Sequence, residues 1–369
     1  MSTHKANLVD VSGDTAQHAS LDNWRPSEGW APVTISRAQI DAEIERLVDL
    51  PRPANGRRAV QFIHPSAPTP GRGLTPGVQV TLSVLKPGES TVPIRHNSTQ
   101  VNFCIRGSGT SIVDGRPINF QQYDVWNYPS FNTYVHSNSG KDLQARLTYS
   151  NAALLEMMRI HIVEEDPPGT GPREEEKAAD PRRASPFGTF AIGEEGAMLM
   201  PYETLINPPS VESRALHWPW ATVQAHLDKL AKLGEDYIGR RLYLLYNPKT
   251  GRCNGTTPNF FATMTIRPPK IIDRPHRHAS SAINYYFRGS GYSVVDGQRY
   301  EWTAGDLMVS APGWAMHNHA SYDDPVYELT VQDQPLNIEM ESLLWQENLK
   351  HPPIILGSAP GFSTNRAAS

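Results

Sequence analysis

Hydrophobic and polar positions change period along this chain. Ile40, Ile44 and Leu47 recur at helical spacing behind Ser36, a natural cap, and Pro51 and Pro53 close the run, which predicts a short amphipathic helix. From Arg57 onward the period is two. Short aromatic and β-branched runs are separated by glycine and proline, the pattern of strands joined by tight turns. A second helical stretch carries Val223, Leu227, Leu230 and Leu233 on one face, with Gly234 as its stop. Another short helix is expected within Leu336–Asn348.

The strand pattern occurs twice. Arg106-Gly107-Ser108-Gly109 followed by Val113-Asp114-Gly115 returns as Arg288-Gly289-Ser290-Gly291 followed by Val295-Asp296-Gly297, with Gly289 182 residues after Gly107. Asp124 and Asp306 keep that offset, and the pairs Arg57-Arg58 and Arg240-Arg241 correspond nearly in register. The chain is read as an internal duplication of a β domain. We expect an N-terminal arm and helix over 1–55, a first barrel over 56–150, a linker with a helix over 151–235, a second barrel over 236–335 and a tail over 336–369. Trp24 and Trp30 are the large anchors of the arm. The charged stretches Glu164–Asp166 and Arg173–Lys177 read as solvated linker.

Chemistry concentrates in the second copy. Strand alternation points His276 and His278 to one side, and likewise His317 and His319, so that three or four imidazoles can converge on a metal. Parity also turns Asn284 and Tyr286 toward the barrel interior, with Thr263, Thr265 and Phe261 lining it from the preceding strand. Tyr285 and Phe287 have the opposite parity and read as packing, as do Trp302 and Trp314. In the first copy His96 and His136 remain, but Ile94 and Tyr134 stand where His276 and His317 stand in the second. The first copy therefore lacks a complete metal site, and its histidines read as hydrogen-bonded barrel residues. Arg288, repeated as Arg106 in the copy without the ligand set, is expected in a structural ion pair.

Composition narrows the class. A formal charge of −4 gives no basic footprint for nucleic acid or an anionic membrane, and there is no apolar run long enough to span a bilayer. A soluble, cytoplasmic protein acting on a small molecule is expected. Two cysteines make no disulfide framework, and Cys104 within an apolar strand reads as a buried free thiol. With 32 proline and 27 glycine residues, an all-β design with long connections is favoured over a helical one.

These motifs carry a resemblance. Pro275–His278, the two glycine-rich turns, Gly305-Asp306-Leu307, Pro312, Trp314 and His317–His319 are similar to the cupin superfamily, and the whole chain resembles the bicupin ring-cleaving dioxygenases of the gentisate and salicylate 1,2-dioxygenase family, nitrosalicylate-cleaving members included. The resemblance implies two jelly-roll barrels with a few short peripheral helices, and one non-haem Fe(II) per chain in the C-terminal barrel, held by His276, His278 and His317. It implies an aromatic hydroxy-acid substrate and O2 as partners, and a homotetramer or dimer with the N-terminal arm crossing between subunits. Many cupins place a glutamate shortly after the His-x-His pair. Here Ala282, Ile283 and Asn284 occupy that place, and three imidazoles leave three octahedral positions open for a chelating substrate and dioxygen.

His319 is then the candidate for proton transfer, and Arg240 or Arg241 for holding a carboxylate, because the arginine that gentisate enzymes carry after the His-x-His pair is replaced by Asn284. In typical gentisate enzymes the metal is in the first barrel, whereas this chain has its full triad in the second. The alternatives left open are another cupin chemistry (isomerase, decarboxylase or diketone dioxygenase) and a non-catalytic binding protein.

Overall fold

The computed structural model describes residues 12, 30–168, 190–192, 197–201, 214–233 and 240–355. Trp24, the run Arg173–Lys177 and Gly234 lie outside them. The architecture is two β-barrels, the first built from two sheets and the second from a six-stranded sheet and two three-stranded ones, with short helices at the periphery. In the first barrel, Arg58–Phe62, Gln79–Leu85, Gln144–Ser150, Gln100–Arg106, Val125–Tyr128 and His217–Trp218 make a six-stranded sheet in that spatial order. It is closed by a five-stranded sheet that includes Ile94–His96 and Tyr134–Ser137. In the second barrel the six-stranded sheet runs Arg241–Leu244, Phe261–Arg267, Val326–Gln332, Ala282–Arg288, Leu307–Ala311 and Val33–Ile35.

The outermost strand of each large sheet crosses over. Val33–Ile35 precedes the first barrel in sequence but pairs antiparallel with Leu307–Ala311 of the second, while His217–Trp218 precedes the second barrel and pairs with Trp126 and Val125 of the first. Segments read from sequence as arm and linker are thus exchanged sheet edges. Paired carboxylates fix both crossings. Asp306 accepts from the backbone N–H of Arg37 (2.6 Å) and Thr303 (2.8 Å), and Asp124 from those of Trp220 (2.7 Å) and Gln121 (3.0 Å).

After each exchanged strand comes a helix. Arg37–Asp49 starts with a capping box between Ser36 and Gln39 and buries Ile40, Ile44 and Leu47, the face its periodicity predicts. Trp220–Ala231 occupies the equivalent place, with Trp220 and Leu227 buried. Toward the C-terminus, helix covers only Gln334–Glu339, and Leu344–Gln346 is a strand where a continued helix was expected.

Apolar parity on the large sheets builds one core between the barrels. Val101, Phe103 and Ile105 meet Ile283, Tyr285 and Phe287, with Phe103 5.7 Å from both the Tyr285 and Phe287 rings. The opposite parity faces the barrel interiors and is largely polar. Arg288 makes no ion pair among the described residues; its guanidinium lies 5.8 Å from the Trp220 ring and 5.4 Å from the Tyr327 ring, so cation–π contact replaces the expected salt bridge. Cys104 and Cys253 are buried and free. Among the described residues no helix is long and apolar enough to cross a membrane.

Candidate metal centre

Strand pairing brings the histidines together. His276 and His317 face each other across an antiparallel bridge, His276 N donating to His317 O (3.1 Å) and His317 N to His276 O (2.9 Å). His278 follows on the same parity. The ring centroids of His276 and His317 are 4.4 Å apart, those of His278 and His317 4.8 Å, and one ligand nitrogen from each of the three lies within 4.8 Å of the others.

Each ring is also turned and protonated by its backbone. Nδ1 of His276 is 3.0 Å from the Arg274 carbonyl, Nδ1 of His278 is 2.8 Å from that of Ser280, and Nδ1 of His317 is 2.9 Å from that of Ala315. A carbonyl only accepts, so each Nδ1 carries the proton and each Nε2 keeps its lone pair. Burial pulls all three imidazoles down, His317 to about 4, and the neighbouring histidines and Arg240 push His276 and His278 the same way. Neutral rings with free Nε2 atoms are what a transition metal needs. His278 Nε2 is buried and has no hydrogen-bond partner among the described residues. The donor set therefore fits a divalent metal. Trp345, from the C-terminal segment, stacks behind His278 (4.9 Å, 25°) and His276 (5.8 Å, 21°).

The other predicted residues take distinct places. His319 stands outside the three-imidazole group, its ring 5.8 Å from that of His317 and its Nδ1 2.8 Å from Ser293 Oγ. Arg240 reaches the centre, with Nη2 3.5 Å from His276 Nε2 and Nη1 3.5 Å from Asp273 Oδ2. Arg241 points elsewhere. It donates to the carbonyls of Ala231 (2.8 Å) and Leu233 (2.7 Å) at the end of the Trp220–Ala231 helix, as Arg58 does to Leu50 after the first helix. The duplicated arginine pair thus splits, one member toward the histidines and one capping a helix.

Phe261, Thr263 and Thr265 line one interior face. Thr263 sits opposite Thr330 and Thr265 opposite Glu328, which in turn face Asn284 and Tyr286. Asn284 is held in the wall, donating to Thr330 Oγ1 (3.0 Å) and accepting from Ser310 Oγ (2.5 Å). Tyr286 stacks on Trp302 (3.7 Å, 4°), with its hydroxyl 3.3 Å from the Ser293 Oγ that orients His319. Trp314 packs under the Arg277 guanidinium at 4.6 Å.

Sequence reasoning missed an ion network behind the centre. Arg267 is fully buried and pairs with Asp273 (3.0 Å) and Glu328 (3.3 Å), and Asp273 also holds Arg240. Burial opposes the charge on Arg267, but Glu328 and Asp273 outweigh it and keep the guanidinium above its ordinary range. The available signal was parity: Arg267 shares a face with Thr263 and Thr265, and Glu328 is a lone charge inside an apolar strand. Trp345 carried no such signal.

Two barrels of one topology, one of them holding a three-histidine centre in its wall, define the class by its architecture: the chain has a bicupin fold. No family model matches the chain. Among characterised proteins it is similar to 1-hydroxy-2-naphthoate 1,2-dioxygenase of a Nocardioides species, 28% identical over 312 residues, covering 82% of this chain and 74% of that protein. It is also similar to 5-aminosalicylate 1,2-dioxygenase of a Comamonas species, 24% identical over 299 residues, covering 79% and 75%. Among solved structures, salicylate 1,2-dioxygenase from Pseudaminobacter salicylatoxidans superposes with a TM-score of 0.70 over 92% of this chain and 93% of that one, at 17% identity, a likeness of fold. By these relatives the chain is similar to the salicylate- and gentisate-type ring-cleaving 1,2-dioxygenases.

Proposed function

We propose that the enzyme opens the C1–C2 bond of a salicylate-type hydroxybenzoate with O2, at a single Fe(II) held by Nε2 of His276, His278 and His317. The observation that carries this reading is the fixing of all three Nδ1 protons on backbone carbonyls, which leaves three neutral Nε2 donors on one side. Fe(II) held there by His276, His278 and His317 would supply a Lewis-acidic site for a bidentate hydroxy acid and the one-electron chemistry that dioxygen needs. Substrates named for the relatives include hydroxynaphthoate, aminosalicylate and nitrosalicylate, and one salicylate dioxygenase variant has been solved with gentisate.

The chain's own residues do the positioning. Arg240, braced by Asp273 and adjacent to His276, would clamp the substrate carboxylate by charge-assisted bonds. His319, neutral because burial holds it well below its ordinary pKa and oriented by Ser293, would hold or move a proton at the substrate hydroxyl. Trp345, stacked on His278 and His276, would shield that side of the triad from bulk water.

Anaerobic loading with Fe(II), followed by oxygen uptake and ultraviolet spectra against salicylate, gentisate, 5-nitrosalicylate, 5-aminosalicylate and 1-hydroxy-2-naphthoate, tests the proposal. One O2 consumed per ring chromophore lost is the expected result. No uptake with any of these acids, with about one iron bound per chain, would overturn it.

A further inference from the structure

The first barrel contains a buried charge that its counterpart balances and it does not. Arg146 occupies the place of Glu328, 182 residues earlier, and is 5% exposed. In the second barrel two buried carboxylates face Arg267. In the first, among the described residues, no carboxylate comes within ion-pair distance of Arg146, whose hydrogen bond is Nη1 to Gln144 Oε1 at 3.0 Å. The nearby cation Arg57 is already engaged by Glu165 at 2.7 Å. Burial pulls Arg146 below its ordinary pKa, and the groups opposing that are Tyr128, Tyr134 and Cys104, all neutral acids at pH 7.

Around it the unmet groups are of one kind. Arg146 Nε, Gln144 Nε2 and Asn102 Nδ2 are buried with no acceptor among the described residues. The oxygens of both amides are used, that of Gln144 by Arg146 and that of Asn102 by Thr148 Oγ1 at 2.9 Å. Gln144, Arg146 and Thr148 alternate along one strand toward the barrel interior, and Asn102 lies opposite Thr148. On one inward-facing parity, a buried guanidinium and two amide N–H groups have no acceptor among the described residues, and they call for an acceptor that bears negative charge.

We propose that the first barrel is an anion site: Arg146, Gln144 and Asn102 hold a compact anion, a small carboxylate or a halide. The barrel that lost its metal ligands keeps a ligand role of different chemistry. Its position is separate from the metal centre, since the triad and Arg240 belong to the other barrel.

The test is thermal unfolding and calorimetric titration of the full-length, metal-loaded protein with sodium formate and sodium chloride at matched ionic strength, beside Gln144→Glu and Arg146→Met. Gln144→Glu supplies an internal carboxylate at the Gln144 Nε2 position and leaves the second barrel untouched. The expected result is saturable stabilisation of the wild type by formate or chloride, loss of that response in Gln144→Glu with a raised midpoint in the absence of added anion, and affinity at least about tenfold weaker in Arg146→Met. Formate alone identifies a carboxylate site, and chloride as well a site that accepts halide. Equal responses in wild type and Gln144→Glu, or no response in the wild type to either anion, overturns the proposal even where Arg146→Met does not fold.

Discussion

Tyr134 Oη stands 3.0 Å from His96 Nε2, the nitrogen that in the other barrel belongs to ligand His278. On the Nδ1 side the two rings are held alike: His96 Nδ1 is 3.0 Å from the Ser98 carbonyl, as His278 Nδ1 is 2.8 Å from that of Ser280. The Tyr134 phenol, together with the Gln100 amide at 3.1 Å, has taken over the lone pair that a metal would use.

Restoring the missing imidazoles should therefore rebuild a site. The double variant Ile94→His/Tyr134→His is expected to raise bound metal from about one to about two equivalents per chain, read by elemental analysis after reconstitution with Zn(II) or Fe(II). An unchanged stoichiometry in a folded variant would show that the first barrel is blocked by more than its ligand set.

Removal of one ligand should be selective. Alanine at His276, His278 or His317 is expected to abolish most bound iron and activity while the circular dichroism of the barrels persists. His319→Ala should keep iron and lower kcat by about 10²–10⁴-fold, the usual range for a lost proton-transfer group. Retention of full turnover in any triad variant would count against the ligand assignment.

The two adjacent arginines should separate cleanly. Arg240→Met is predicted to lower kcat/KM by about 10- to 100-fold, the loss of a charge-assisted contact to substrate. Arg241→Met should instead cost about 1–3 kcal/mol of stability, because the helix-end carbonyls of Ala231 and Leu233 lose their donor, with KM little altered. Denaturant titration and steady-state kinetics on both variants check the split.

Acid should weaken the fold through the first barrel. Burial lowers His96 from its ordinary value of 6.5 to about 4, so the folded state keeps this ring neutral. Below pH 6.5 the unfolded chain takes up a proton that the folded one refuses, and stability falls as pH drops toward about 4, by about 3 kcal/mol for this ring alone. Asp333 works in the opposite sense. Burial raises its carboxyl to about 6, so its contribution is present at low pH and is lost as pH rises through that value. Urea midpoints from pH 4 to 8 should show a shallower acid slope in His96→Asn than in wild type; equal slopes would contradict the assignment.

Much of the fold was legible because duplication gives two readings of every element. Strand parity correctly turned Thr263, Thr265, Asn284 and Tyr286 inward and Tyr285 and Phe287 toward the inter-barrel core. The His-x-His spacing brought three imidazoles together. Repetition could not say which member of Arg240-Arg241 faces the centre, since that depends on where the preceding helix ends. Nor could it reveal that Val33–Ile35 and His217–Trp218 serve the opposite barrels, because a three-residue or two-residue strand has no period of its own and its partner lies in the other copy. The Arg267–Asp273–Glu328 network escaped for a related reason: Glu328 meets Arg267 only across paired strands, and Asp273 reaches it from the loop that follows the Arg267 strand.

The reciprocal strand exchange has a historical reading. Two identical single-barrel chains that traded their leading strands across a twofold axis would form this topology as a homodimer, and joining them end to end would preserve it in one polypeptide. Fusion frees the copies from identity while each still completes the other's sheet. One barrel could then surrender its metal ligands without becoming dispensable, because the edge strand beside its partner's Leu307–Ala311 still comes from its own leading segment.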